Sequence, residues 1–341
     1  MPNWIGDLVM AMPVLSSLRQ AYPSSKITAM ALRSQASLLY KHPDIDEVFQ
    51  FDRVNIFTRS SKKRNIVKKI IYGQYDIGII LPNSFSSAWL FWQGGVKRRI
   101  GYKGNLRDWL LTDRITPSLQ QSYHHMVISY QLLLSSLSIP FTLTAPTIYL
   151  EPMEVEYARN CFQTYGIPEG APVLGINMGA AYGNAKCWPE KKFRWLAKKL
   201  IEDHPLLHLI FFGDQTIRIV VKEICATLPK RAINLAGLTT LRELAAMISL
   251  CNGFVTNDSG PMHIADAVGT SVIAIFGSTC KYRTGPYSGG TIIHKETACS
   301  PCFSRTCPLD FHCMEKISVE EVYHACVRVL QKKERKDAIL V

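Results

Sequence analysis

Short apolar runs alternate with stretches of helical periodicity along most of the chain. Apolar runs of about four to eight residues are typical of strands buried in a parallel sheet, and their alternation with helices indicates right-handed crossover units. The pattern therefore predicts an α/β fold. The predicted strands are Lys26–Leu32, Val48–Phe51, Asp76–Leu81, Val173–Met178, Leu207–Phe212, Ala232–Leu235, Gly253–Thr256 and Ser271–Phe276. The predicted helices are Leu8–Leu18, Ser34–Tyr40, Lys62–Ile71, Ser87–Trp92, His125–Leu137, Glu190–Glu202, Thr216–Ala226, Leu241–Leu250, Pro261–Val268 and Val319–Lys333.

The strand–helix alternation occurs twice, once in each half of the chain. Residues 138–172 contain five prolines and interrupt it, which indicates a boundary between domains. We therefore predict a Rossmann-like domain over residues 1–150, a linker over 151–170, a second Rossmann-like domain over 171–318, and a C-terminal helix with a basic tail over 319–341. Doubly wound domains in tandem are expected to bind ligands in a cleft at the carboxyl ends of their strands.

Composition narrows the class of protein. The 341 residues carry 39 Lys and Arg against 27 Asp and Glu, a net charge of +12 that favours anionic partners such as nucleotides, nucleic acids or acidic membranes. No apolar run approaches the ~20 residues of a membrane span. The first residues lack the pattern of an export signal, so the ten cysteines are expected to be reduced thiols in a cytosolic protein.

The stretch Gly253–Gly269 is the most informative part of the chain. It combines an apolar strand, a polar turn containing Asp258, Ser259 and Gly260, and a helix with Pro261 in its first turn. Free backbone N–H groups at such a turn form an anion site, for which phosphate is the commonest ligand. The alternative is a strand–helix turn that is merely capped by a side chain.

Two other stretches contain candidate chemistry. Asp7 opens the first helical pattern, where a carboxylate is either a helix cap or a base that the helix N-terminus keeps ionised. Pro13 either kinks that helix or marks its real start. The small-residue loop Gly179–Pro189 carries Lys186, a mobile cation suited to phosphate, although a surface loop with a solvated lysine is the simpler interpretation.

Together these stretches resemble the ADP-heptose:lipopolysaccharide heptosyltransferases of glycosyltransferase family 9. The similar segments are PNWIGDLVMAMPVLSSLR, LPNSFSSAW, MGAAYGNAKCWP and TNDSGPMHIADAVG, in that order, and LPNSFSSA is most similar to heptosyltransferase II. The resemblance implies a GT-B fold with two Rossmann-like domains facing across a cleft, the first binding the acceptor and the second the nucleotide sugar. It also implies inverting transfer of heptose from ADP-L-glycero-D-manno-heptose to the inner-core heptose of lipopolysaccharide.

The resemblance assigns roles to individual residues. Asp7 matches the proposed catalytic base, Asp258 the residue that holds donor hydroxyls, and Leu238 the position packed against adenine. No metal or other cofactor is required by this scheme, and ADP-heptose is the donor. The expected donor-binding residues are Gly179, Ala180, Ala181, Lys186, Leu238, Asp258, Ser259, Gly260, Met262 and His263. Asn83 and Ser84 are the expected acceptor-binding residues.

Two departures from the family pattern bear on this assignment. Family members begin with a strand immediately before the segment that matches Asn3–Asp7, and here that first strand is missing. Its loss is expected to leave neighbouring backbone groups in the first sheet without partners. After Gly213 no acidic residue clearly matches the family's ribose contact, for which Asp214 is the available substitute.

Other features leave alternatives open. Cys299, Cys302, Cys307 and Cys313 are candidate zinc or iron–sulfur ligands, with reduced structural thiols the competing interpretation.

The helix Ser87–Trp92 is either a core helix or a contact to the anionic inner-membrane surface, with the protein then peripheral at its cytoplasmic face. Basic residues that would assist there are Arg59, Lys62, Lys63, Arg64, Lys68 and Lys69. The alternative functions are another sugar-nucleotide enzyme such as an epimerase and a metal-knuckle nucleic-acid-binding protein, although no nucleic-acid-binding motif is present.

Overall fold

The structure is a computed structural model that describes residues 1–56, 58, 60–117 and 124–339, with only the backbone described for 332–339. Arg59 and the side chains of the basic tail therefore lie outside the described residues. The chain forms two compact units, Met1–Pro146 and Thr147–Val341. Residues 151–170, predicted to be a linker, instead contain the helix α6 (Pro152–Thr164) of the second unit.

The first unit contains five described strands, all paired in parallel. They form two separate sheets, one of β1 and β2 and one in the order β3-β4-β5. The strands are β1 (Thr28–Leu32), β2 (Glu47–Phe51), β3 (Ile77–Ile79), β4 (Arg98–Tyr102) and β5 (Asp113–Ile115). The helices are α1 (Ile5–Met10), α2 (Pro13–Ala21), α3 (Ser61–Gly73), α4 (Phe85–Gln93) and α5 (Met126–Gln131).

The first helical pattern forms two helices instead of one. Pro13 begins α2 because its fixed φ suits the first turn and its missing N–H needs no partner there. The predicted helix Ser34–Tyr40 forms only a 3₁₀ turn over Ala36–Leu39, whereas the predicted helix His125–Leu137 forms α5 followed by a 3₁₀ helix over Leu132–Leu137.

The second unit is built on one six-stranded parallel sheet in the order β11-β10-β9-β6-β7-β8. Every residue of β6, β7 and β9 is buried, as expected for strands covered by helices on both faces. The strands are β6 (Val173–Asn177), β7 (His208–Phe212), β8 (Ala232–Asn234), β9 (Gly253–Asn257), β10 (Ser271–Phe276) and β11 (Thr291–His294). The helices after α6 are α7 (Glu190–Asp203), α8 (Arg218–Ala226), α9 (Leu241–Leu250), α10 (Gly260–Ala267), α11 (Lys281–Thr284), α12 (His312–Glu315) and α13 (Val319–Ile339).

The strand order of the second unit reverses between β6 and β9. From β6 the chain proceeds to β7 and β8 on one side, and from β9 to β10 and β11 on the other. Such a switch point opens a crevice at the carboxyl ends of the two central strands, where ligands of doubly wound folds bind. The predicted α/β class with Rossmann-like units is confirmed. In the part of the chain that the structure describes, every helix is too short or too polar to span a bilayer.

Candidate functional site

The two loops singled out in the second half of the chain meet at this switch point. The loop containing Gly179 and Lys186 follows β6, and the turn containing Asp258 follows β9. Because β6 and β9 are paired in parallel, their carboxyl ends lie at the same edge of the sheet. The sheet topology therefore brings together segments that are separated by about 70 residues in sequence, as the Lys186–Asp258 pair shows.

Lys186 and Asp258 form a buried ion pair at this edge. Lys186 Nζ lies 2.6 Å from Asp258 Oδ2, and the two side chains are 13% and 4% exposed. Thr279 donates a second hydrogen bond of 2.6 Å to the same carboxylate oxygen. A buried pair of this kind stabilises its geometry only while both charges are present, since removing one leaves the other unpaired in a poorly solvated place.

Two asparagines at the ends of the central strands hold the loops in register. Asn257 accepts a hydrogen bond from the Trp188 N–H at 3.0 Å and donates one to the Met178 carbonyl at 2.6 Å. Asn177 Nδ2 lies within 3.1 Å of the Gly179 carbonyl and of the hydroxyls of Thr256 and Ser259. Asn177, Thr279 and the positioning role of Asn257 were not predicted from the sequence. Asn177 and Asn257 end apolar strands, which is a signal that could have identified them.

α10 begins at Gly260, directly after the turn that carries Asp258, and its first turn carries the positive end of the helix dipole. Ser259 occupies the N-cap position in an extended conformation, yet its hydroxyl accepts from Asn177 and makes no capping hydrogen bond. Pro261 contributes no N–H, and the Met262 N–H donates to the Ser259 carbonyl at 3.1 Å. No side chain of the N-cap residue bonds the N–H groups of the first turn, so the helix N-terminus favours an anion at this position. His263, predicted as a donor contact, is 5% exposed on the same turn.

The loop after β6 is shaped by close backbone contacts. Gly183 has a φ of +154°, and a Cβ at this position would lie 2.2 Å from the Arg305 carbonyl oxygen. The Ala180 carbonyl accepts from the Gly183 N–H at 3.2 Å, while Tyr182 donates to the Phe303 carbonyl at 2.8 Å. Lys186 Nζ lies 4.9 Å from the centre of the Tyr182 ring, so the aromatic face helps to orient the cation.

Other predicted donor contacts lie on neighbouring loops of the same unit. Leu238 follows β8 and is 47% exposed, so an apolar face is available there for a planar ligand. Ala181 is exposed in the loop after β6. The Asp214 carboxylate accepts from the Thr216 N–H at 2.8 Å and caps the short 3₁₀ turn Gln215–Ile217.

The candidate base lies in the first unit. Asp7 is in the first turn of α1, and its Oδ1 accepts a hydrogen bond of 3.1 Å from the Tyr130 hydroxyl on α5. The N-cap of α1 is Trp4, which makes no side-chain capping bond. A hydrogen bond to the ionised carboxylate favours the form that can accept a proton. Tyr130, like Asn177 and Thr279, was not predicted from the sequence.

The predicted acceptor residues lie on a loop that the side chain of Arg107 holds in place. Arg107 is fully buried and donates to the carbonyls of Pro82 at 2.6 Å and Tyr102 at 2.8 Å, and burial lowers its pKa to about 10. Asn83 is exposed, whereas Ser84 caps α4 by accepting from the Ser87 N–H at 3.3 Å. Ser84 thus has a structural role in addition to any contact with a ligand.

The four predicted cysteines surround one small cavity. A volume of about 50 Å³ is lined by Cys299, Cys302, Cys307, Cys313 and His312, among others. Backbone N–H groups of Leu309 and Phe311 donate to Cys307 Sγ at 3.4 and 3.3 Å. All ten cysteines are unpaired thiols, and burial raises the pKa of Cys313. Among the described residues no group of three or more His, Cys, Asp and Glu is placed to hold a metal ion.

Comparisons with known proteins agree with this arrangement. The profile of glycosyltransferase family 9 (heptosyltransferase) matches residues 63–312. The chain is 32% identical over 304 residues to lipooligosaccharide heptosyltransferase 2 of Haemophilus ducreyi, with 86% of each chain covered. It is 29% identical over 297 residues to lipopolysaccharide heptosyltransferase 2 of Escherichia coli, with 84% of each covered.

A solved structure shares the fold over nearly the full length. The structure of Escherichia coli ADP-heptose lipopolysaccharide heptosyltransferase II superposes with a TM-score of 0.82 at 26% identity, covering 98% of both chains. The profile match spans the ion pair and the turn after β9, so the geometry and the similarity concern the same residues. The chain belongs to glycosyltransferase family 9, the heptosyltransferase family.

Proposed function

We propose that this chain transfers a heptose from ADP-heptose to the inner-core heptose of lipopolysaccharide, with inversion at the anomeric carbon, as a heptosyltransferase II. The observation that carries the proposal is the buried Lys186–Asp258 pair beside the first turn of α10, at the switch point of the second unit. A cation and a helix N-terminus suit the diphosphate of a nucleotide sugar. A neighbouring carboxylate suits the hydroxyls of the sugar.

Each donor contact has a separate role in this proposal. Lys186 turns from Asp258 toward the diphosphate when the donor binds, and Asp258 then accepts hydrogen bonds from heptose hydroxyls. Main-chain groups at Ser259, Gly260, Met262 and His263 orient the phosphates, and the small residues Gly179, Ala180 and Ala181 allow close approach. Leu238 packs against adenine.

The transfer itself needs one base and one stabilised leaving group. Asp7 takes the proton from the acceptor hydroxyl as its oxygen attacks the anomeric carbon, and the bond from that carbon to the diphosphate oxygen breaks. ADP leaves with the negative charge, which Lys186 and the dipole of α10 stabilise. In this scheme the charge is neutralised by protein groups, so no metal cofactor is required.

The acceptor is proposed to bind to the first unit, at the loop containing Asn83 and Ser84. A lipid-linked acceptor implies contact with a membrane, and the first unit carries exposed aromatic residues. Trp92 and Trp109 are 42% and 59% exposed, with their ring centres 5.8 Å apart. Amphipathic aromatic rings are typical of membrane interfaces. We therefore propose peripheral association with the anionic cytoplasmic face of the inner membrane.

Calorimetric titration with ADP-heptose, ADP and UDP tests the donor site, followed by a turnover assay with lipopolysaccharide inner-core acceptor. We expect selective binding of the two adenine nucleotides and turnover with ADP-heptose. Folded protein that binds neither adenine nucleotide would overturn the proposal, and preferential binding of UDP would favour an epimerase-like activity instead.

Replacing Asp7 with Asn removes the base while keeping the size of the side chain. We expect kcat to fall by roughly 10²–10⁴-fold, the range for general base catalysis, with donor affinity nearly unchanged. Asp52→Asn, at a surface carboxylate of the same unit, is the matched control and retains activity. Turnover of Asp7→Asn within a few-fold of the parent chain would remove Asp7 from the base role.

Replacing Lys186 with Ala removes the cation proposed for the diphosphate. We expect ADP-heptose affinity to weaken and kcat/KM to fall by about 10²-fold or more, as when a single transition-state donor is lost. The exposed Lys198→Ala in the same unit controls for loss of net charge. Lys186→Arg should restore part of the affinity. Unchanged affinity and rate in Lys186→Ala would refute the phosphate role.

A further inference from the structure

The proposed function leaves one sequence motif without a role, the cysteine-rich loop of residues 295–311 between β11 and α12. Its main chain is bonded to both sides of the candidate site. The Phe303 N–H donates to the Ser278 carbonyl at 2.7 Å, one residue before Thr279. The Phe303 carbonyl accepts from the Tyr182 hydroxyl at 2.8 Å. The cysteine-rich loop therefore packs directly beside the donor site of the second unit.

Arg305 lies where the cysteine-rich loop meets the segment that carries Lys186. The Ala185 N–H, one residue before Lys186, donates to the Arg305 carbonyl at 3.1 Å. Gly183 leaves room for the same carbonyl, because a Cβ at this position would lie 2.2 Å from its oxygen. The main chain of Arg305 is therefore fixed relative to Lys186 by contacts that tolerate little displacement.

The side chains of Arg305 and Lys186 place two cations around one aromatic ring. Lys186 Nζ lies 4.9 Å from the centre of the Tyr182 ring, and the guanidinium carbon of Arg305 lies 5.2 Å from it. The ring face attracts each cation, whereas the two cations repel one another. Lys186 is paired with Asp258, but among the described residues no carboxylate lies within ion-pair distance of Arg305. The arrangement thus contains an uncompensated positive charge that an anion would stabilise.

The charge of the donor calls for such a second cation. In the diphosphate of a nucleotide sugar each phosphate carries a negative charge at neutral pH. The Lys186–Asp258 pair is neutral as a whole, and the N-terminus of α10 supplies a partial charge equivalent to roughly half an elementary charge. Together these groups compensate for less than the charge of one phosphate. A diphosphate bound there would remain under-compensated without a further cation.

We propose that Arg305 is a second cationic ligand of the donor diphosphate, beside Lys186. Its planar guanidinium donates paired hydrogen bonds to phosphate oxygens, a geometry that a lysine cannot offer. Because the side chain is exposed and bonded to no carboxylate among the described residues, it turns toward the phosphates without breaking an ion pair. The cysteine-rich loop then has the role of presenting this guanidinium to the donor. The inference rests on the proposed function, since it takes the diphosphate to bind at Lys186 and α10.

Arg305→Met tests the proposal, because methionine keeps an apolar stem against the Tyr182 ring and removes the charge. We expect calorimetry to show affinities for ADP and ADP-heptose that are lower by about ten-fold or more, as when a hydrogen bond to a charged group is lost. Arg305→Lys, which restores the charge without the planar fork, should recover part of the loss. Arg159→Met, at an exposed arginine of α6 in the same unit, is the matched control and should bind as the parent chain does.

The salt dependence of ADP binding separates a charge role from a packing role. Between low salt and 0.5 M NaCl the affinity of the parent chain should fall by a larger factor than that of Arg305→Met, because one fewer screened charge acts on the ligand. Identical salt dependence in the two proteins would overturn the proposal. So would an ADP affinity of Arg305→Met within two-fold of the parent, or an equal loss in Arg159→Met.

The parent chain distinguishes failure of this inference from failure of the proposed function. A folded parent that binds neither ADP nor ADP-heptose would overturn both. A parent that binds both ligands, together with an Arg305→Met variant that binds them equally well, would remove only Arg305 from the diphosphate site and leave the proposed function standing.

Discussion

At the scale of single residues, the clearest finding is that candidate chemical groups are held by partners remote in sequence. Asp7 and Tyr130 are 123 positions apart, yet a 3.1 Å hydrogen bond joins them. Asp258 and Thr279 are joined across 21 positions in the same way. Asp7 and Asp258 were predicted from the sequence because a carboxylate at the start of a helix is a candidate catalytic or binding group. Their hydroxyl partners were not predicted, because a Tyr or Thr in sequence resembles any other polar residue.

The Asp7–Tyr130 bond leads to a prediction about pH. Tyr130→Phe removes a donor to the ionised carboxylate, so the pKa of Asp7 should rise and the acidic limb of the kcat/KM profile should move to higher pH. On that limb we expect about ten-fold lower activity, since hydrogen bonds to charged groups contribute about 1.5–3 kcal/mol.

The control for this variant is Tyr72→Phe, at a tyrosine that is 92% exposed in the same unit. Its profile should superimpose on that of the parent chain. A Tyr130→Phe enzyme whose activity falls by the same factor at every pH would indicate that Tyr130 acts on packing and not on the proton affinity of Asp7.

At the scale of elements, apolar periodicity located the buried strands and missed the polar ones. β6, β7, β9 and β10 lie within one residue or so of their predicted bounds because they are continuous apolar runs. β4 and β5 were missed because they carry charged residues that pair across the sheet. Arg98 of β4 makes a bidentate contact to Asp113 of β5, with a closest distance of 2.6 Å. That guanidinium also keeps the pKa of Asp113 below its usual range.

The loop after β6 gives a prediction at this scale. In Gly183→Ala the new methyl group would collide with the Arg305 carbonyl oxygen, 2.2 Å away, so the turn carrying Lys186 must shift. We expect donor affinity to fall by about ten-fold or more, because small displacements of a positioned group have large effects.

Gly170→Ala is the matched control for backbone strain. Its φ of +76° is also unfavourable for alanine, by roughly 1 kcal/mol, but no atom lies within 4 Å of the added carbon. Calorimetry should show parental donor affinity for this control. Equal losses in the two variants would mean that strain alone, and not the position of Lys186, weakens binding.

At the scale of the whole molecule, the net charge of +12 and the exposed Trp92–Trp109 pair predict that the protein binds anionic membranes through charge and aromatic rings. Binding to vesicles containing anionic lipid should weaken by about ten-fold or more between low salt and 0.5 M NaCl, because salt screens exposed charges beyond the Debye length. The double variant Trp92→Ala, Trp109→Ala should lower binding at both salt concentrations.

Trp195→Ala, at a tryptophan that is 69% exposed in the second unit, is the control and should bind as the parent chain does. Three of the basic residues predicted to assist already have partners. Lys62 lies 3.5 Å from the Asp52 carboxylate, and the ammonium groups of Lys63 and Lys69 lie over the rings of Trp89 and Phe49. Equal binding to zwitterionic vesicles would show that charge does not direct the association.

The sequence by itself determined the α/β class, most buried strands and the stretches around Asp7, Lys186 and Asp258, because apolar periodicity and turn residues are local properties. Only the tertiary structure decided that Lys186 and Asp258 form a buried ion pair, and that Asn177 and Asn257 hold the two loops together. It also decided that the four cysteines line one cavity. Among the described residues no three or more His, Cys, Asp and Glu side chains are placed to bind a metal ion there. These facts depend on which strands become neighbours in a parallel sheet, and that order is set by crossovers and packing over long separations in sequence.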